Sequence, residues 1–222
     1  MAKFKYTVLA SVWIALAAAI PSLDLARKCP VTMEGRVARG MKLSTFDTTS
    51  SPFDPNFSKG ENLTWSQIIE FPHVLPSKFD ITAYKAIEVT IDERSIFIPG
   101  GGAPQIGFRR AGLLLGNGTD ATVVGVKTFH WSVKQDLRAR MNLTHEYMNV
   151  WHETNDYSAN QFSFNTGILL EQDHPTDSNA TTTGLDKRLW KFLDRGNDVI
   201  WTTWIDWDNW QNFAVTVDYV KK

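Results

Sequence analysis

The run His145-Glu146-Tyr147-Met148-Asn149-Val150-Trp151-His152-Glu153 brings imidazole, phenol, indole and carboxyl groups into one short stretch. Successive side chains of a strand alternate sides. A regular strand here presents His145, Tyr147, Asn149, Trp151 and Glu153 on one face. The opposite face carries Thr144, Glu146, Met148, Val150 and His152. The first face joins rings to hydrogen-bonding groups, which suits a sugar-binding groove. Met148 and Val150 on the second are expected in the core. Glu153, flanked by rings that can desolvate it, could serve as a general acid, or could be a solvated strand-end glutamate. Glu146 lies on the far face unless a bulge shifts the register.

Other groups must be brought to such a site by the fold. Arg109 and Arg110 follow the turn Pro99-Gly100-Gly101-Gly102-Ala103-Pro104. Arg110 could offer a donor fork to a substrate hydroxyl or a carboxylate, or form a structural ion pair. His130 lies between Phe129 and Trp131 and is a second groove candidate. His145 and His152 do not have the spacing of a metal site on one strand face, and no metal is expected. The glycine run lacks the Lys-Ser/Thr and the following helix of a phosphate loop. Trp201, Trp204, Trp207 and Trp210 recur every third residue beside Asp206 and Asp208. Strand parity separates Trp201 and Trp207 from Trp204 and Trp210. Core packing is expected for half or more of them, and an exposed indole could stack on glucose.

Formal net charge is −1, which argues against a nucleic-acid partner. With 43% hydrophobic and 21% charged residues, a packed core is expected rather than disorder. Residues 1–20 read as a signal peptide: Lys3 and Lys5, an apolar run from Tyr6 to Ile20, then Ala17-Ala18-Ala19. That run is short for a membrane span. The sequence therefore predicts a secreted, extracellular protein with no membrane association after processing. Sequons at Asn56, Asn62, Asn117, Asn142 and Asn179 predict N-glycosylation. Cys29 is the only cysteine, so no intramolecular disulfide can form.

Residues 21–222 read as one domain. Alternation at Ile87, Val89 and Ile91 marks a half-buried strand. Further strands are expected over 107–115, 123–133, 143–153, 161–170, 199–204 and 212–219. Leu185 to Leu193 is the one helix-length segment. Many strands without a βαβ rhythm predict an all-β fold, a β-jelly roll or two-sheet antiparallel sandwich. Ile87, Val89, Ile91, Phe129, Trp131, Met148 and Val150 are its expected core. A monomer is expected.

The Gly-Gly-Gly turn, the Arg109-Arg110 pair and the 144–153 strand, closing on Asn160-Gln161-Phe162, resemble fungal glycoside hydrolase family 131, which are secreted β-glucanases of jelly-roll fold. The resemblance implies hydrolysis of β-1,3/1,6- and β-1,4-glucans without a cofactor, and a glutamate in the Glu153 strand region. It also implies a groove lined by Arg110, His130, His145, Tyr147 and Trp151. This chain departs from the family pattern in places. Gly112 stands where the pattern Arg-Arg-x-Glu-Leu has a glutamate of the proposed catalytic pair. Gln211 stands in Trp210-Gln211-Asn212-Phe213, where relatives tend to have histidine. The family continues through further strands after the Asp218-Tyr219 region. Weakened hydrolysis with binding retained is the resulting expectation. The alternatives are a non-catalytic glucan-binding protein on the same fold, or a polysaccharide lyase using Arg110 with His145 or Tyr147.

Overall fold

A computed structural model describes residues 30–116, 123–154, 156–170 and 185–221. The elements of the fold all lie within one compact unit, Met33–Lys222. Cys29, the signal segment and the sequons at Asn117 and Asn179 lie outside the described residues.

Two antiparallel sheets carry the architecture. The first pairs β5 (Val126–Val133) with β10 (Gln211–Asp218). The second is four-stranded, ordered β6 (Glu146–Glu153), β7 (Asn160–Gly167), β8 (Leu189–Leu193) and β9 (Val199–Trp204). Lys127, Phe129, Trp131 and Val133 on β5 are less exposed than Val126, Thr128 and His130 between them, and β10 shows the same period of two. That alternation sends one face of the pair against the larger sheet. Phe164 is fully buried there, its ring 4.8 Å from Trp190, 4.6 Å from Phe213 and 5.4 Å from Trp131. Aromatic packing of this kind takes the place of a disulfide in joining the layers. The expected all-β antiparallel sandwich is what the chain forms.

The N-terminal half adds a second apolar cluster around Val37, Phe46, Phe53, Leu63, Trp65, Ile68 and Ile69. Its regular elements are short: β1 (Val37–Ala38) with β3 (Tyr84–Lys85), and β2 (Ile69–Glu70) with β4 (Glu88–Val89). A one-turn helix, Trp65–Ile68, starts in a capping box in which Gln67 accepts from the Thr64 N–H at 2.9 Å.

Several expectations need correction. Leu189–Leu193 is a strand, not a helix. Trp190 and Lys191 point to opposite faces and both are buried, which a period-two element inside a sheet provides. Residues 107–115 form no regular strand, only the isolated bridge between Leu115 and Phe53. Met148 and Ile91 are exposed rather than in the core, whereas Ile87 and Val150 pack against it.

Candidate active site

The register of β6 decides the site. Met148 faces Asn165 across the ladder and Val150 faces Phe164, so Asn149 is an extra residue, a bulge. Directly opposed residues share a face. Val150 and His152 therefore join Phe164 and Phe162 on the sandwich side, together with Tyr147 opposite Thr166. Glu146, Met148 and Trp151 take the other side, with Asn165 and Ser163. The expected face of His145, Tyr147, Trp151 and Glu153 is thereby broken up. Tyr147 and Trp151 point in opposite directions, and Glu146 moves onto the Trp151 face.

Glu146 is held at both oxygens. Asn165 Nδ2 donates to Oε1 at 2.7 Å and the Leu170 N–H donates to Oε2 at 3.2 Å. Both partners are donors, so the carboxylate is oriented as an acceptor. Beneath it, Asn165 is 1% exposed and Lys191 0%. The Lys191 ammonium donates to the Gly167 carbonyl at 2.9 Å and the Leu189 carbonyl at 3.2 Å. Burial pushes the pKa of this lysine down, while Asp186 and Glu146 oppose the shift. Gly167 makes the arrangement possible: its φ is +83°, and a Cβ there would lie 1.8 Å from the His145 carbonyl oxygen. The edge around Glu146 is open, with Met148 and Leu170 both exposed.

Glu153 sits half-buried at the other end of β6, opposite Asn160. Seven residues of strand place it about 20 Å from Glu146 at ~3.3 Å per residue. Two carboxyl groups acting on one glycosidic bond stand at most about 9.5 Å apart. Glu146 and Glu153 therefore cannot act as partners on one bond.

The remaining predicted residues do not gather around Glu146. Arg110 reaches Gln105 Oε1 at 3.4 Å and lies over the Phe97 ring. Arg109 pairs with Glu93. His130 is on the outer face of β5, edge-on to Phe79 at 5.2 Å. His145 is exposed at the start of β6. The Tyr147 hydroxyl accepts from the Asn142 N–H at 2.9 Å. The sequons at Asn56, Asn62 and Asn142 are exposed. No cluster of three or more His, Cys, Asp or Glu among the described residues could hold a metal ion. No helix among them is long and apolar enough to cross a membrane.

Gln211 and Gly112 acquire structural roles that sequence reasoning missed. Gln211 Oε1 accepts from Trp190 Nε1 at 2.6 Å and from the Asp206 N–H at 2.8 Å, and Nε2 donates to the Trp204 carbonyl at 2.8 Å. It ties β10 to the core and to the turn after β9. At Gly112, buried, a Cβ would meet Trp151 Cη2 at 3.0 Å and Phe57 Cε1 at 3.1 Å. The segment through Gly112 thus lies against the Trp151 end of the Glu146 face.

Residues 31–222 match the family of the glycoside hydrolase 131 catalytic N-terminal domain. No curated protein matches the chain. The match spans most of the sequence, and the chain belongs to glycoside hydrolase family 131.

Proposed function

For this member of family 131 we propose β-glucan hydrolysis, of β-1,3/1,6 and β-1,4 chains, in the extracellular space, with Glu146 as base or nucleophile. The observation that supports it is the fixed Glu146 carboxylate on an open sheet edge, oriented by Asn165 and Leu170. In such a reaction a carboxylate deprotonates water or attacks the anomeric carbon while the leaving oxygen is protonated. With Glu153 at the far end of β6 and glycine at position 112, that proton comes from solvent, and slow release follows. Two aligned donors leave Glu146 free lone pairs for the carboxylate's task. Trp151 shares its face and supplies a ring for the sugar. Glu153, on this reading, serves substrate further along the strand rather than the same bond. The test is reducing-end release from both glucan classes by the wild type and by Glu146→Gln, with a loss of about 10²–10⁴-fold expected.

Gly112 favours a second reading, a glucan-binding protein without turnover. Its place against Trp151 leaves no room for a side chain, and the residue expected to complete the carboxyl pair is absent. Binding of glucan with no release of reducing ends supports that reading. The lyase alternative has no such support. Tyr147 points into the sandwich and Arg110 is engaged with Gln105 and Phe97.

A further inference from the structure

We propose that Trp204 is a stacking platform for the same polysaccharide on which Glu146 acts, at the opposite edge of the four-stranded sheet. The inference rests on the reading of Glu146 given above.

The register places the two residues together. Met148 pairs with Asn165, Asn165 with Lys191, and Lys191 with Thr202, one row across all four strands. Side chains in such a row share a face. Strands β6 and β9 run in opposite directions. Glu146, two residues before Met148, and Trp204, two residues after Thr202, therefore stand on the same side of that row and on the same face. Three interstrand spacings separate them, about 14 Å. That is the span of a few pyranose rings in an extended chain. Between them in their own row stand Gly167, which pairs with Glu146 and carries no side chain, and Leu189, which pairs with Trp204.

Trp204 is built as a surface feature. Its side chain is 58% exposed, whereas Trp190 on the neighbouring strand is fully buried. Its carbonyl is fixed by Gln211 Nε2 at 2.8 Å. The Arg188 guanidinium stacks on the ring 5.2 Å from its centroid and is itself held by Asp186 at 2.6 Å. The indole is thus supported from one side while more than half of the residue stays exposed. A rigid, half-exposed aromatic ring loses little conformational entropy on binding, which makes it an effective anchor. The axial C–H face of β-linked glucose fits an exposed indole. The partner chemistry is a neutral β-glucan chain running across the strands.

The experiment compares Trp204→Ala and Trp204→Phe with the wild type on β-glucan oligosaccharides from disaccharide to octasaccharide. Trp204→Ala should raise KM about tenfold for the long members, with kcat unchanged. Trp204→Phe should fall between, and disaccharide kinetics should not move. An equal loss at every length, or no loss at the long ones, overturns the platform while leaving Glu146 in place. A wild type that neither binds nor cleaves any member overturns the reading of Glu146, and the platform with it. Should Trp204→Ala unfold, Trp204→Phe decides alone by the same dependence on length.

Discussion

Gly112 lies against Trp151, so closely that a Cβ at position 112 would stand 3.0 Å from the indole Cη2 and 3.1 Å from the Phe57 ring. A side chain there must displace one or both rings. Overpacking of this kind costs about 1–3 kcal/mol. Gly112→Ala and Gly112→Glu should both lose stability by that amount in urea titrations. The loss should shrink when Trp151→Leu is added, and strict additivity in that double-mutant cycle would contradict the contact. Gly112→Glu alone should therefore not restore a carboxyl pair.

His152 predicts acid sensitivity. Its Nε2 and the Tyr219 hydroxyl share a 2.6 Å hydrogen bond, and its ring packs on Phe129 and Phe162. Burial lowers its pKa from the ordinary 6.5. The unfolded chain then takes up the proton first, so stability is complete above about pH 6.5 and is lost as pH falls from there towards the folded value. Unfolding midpoints measured from pH 8 to 5 should fall in the wild type and flatten in His152→Gln. Tyr219→Phe should cost about 1 kcal/mol at pH 8.

Glu88 predicts the opposite slope. It faces Glu70 across the β2–β4 ladder. Burial raises its pKa, with Asp136 and Glu70 adding to the shift and Arg138 opposing it. The folded state holds this proton longer than the unfolded chain, so the contribution to stability falls as pH rises through the folded value. Like charges directly opposed cost roughly 0.2–1 kcal/mol. Glu88→Gln should stabilise by that amount at pH 7, and an equal gain at pH 4 would contradict the cause.

Phe164 carries the inter-sheet core. Phe164→Ala removes a fully buried ring packed on Trp190 and Phe213. A loss of about 3–5 kcal/mol is expected by chemical denaturation.

Much of this fold was legible because β5 and β10 alternate with period two, Phe129 and Trp131 against Thr128 and His130, Phe213 and Val215 against Asn212 and Thr216. The site was not, because a single extra residue at Asn149 reverses the faces of β6 on either side of it. Met148-Asn149-Val150 contains no glycine or proline to announce a bulge. Leu185 to Leu193 read as a helix-length segment because both faces of β8, its Leu189–Leu193 part, are covered, which erases the alternation. Gln211 read as the loss of an acid–base group, but its three hydrogen bonds join it to partners 5, 7 and 21 residues away along the chain. No local pattern reveals such a hub.

The most direct test is reducing-end release from β-1,3/1,6- and β-1,4-glucan by the wild type and by Glu146→Gln, with glucan binding measured alongside. The account predicts slow release by the wild type, a fall of about 10²–10⁴-fold in Glu146→Gln, and binding retained in both. Undiminished turnover in Glu146→Gln, or a wild type that binds glucan without releasing any reducing ends, would contradict it.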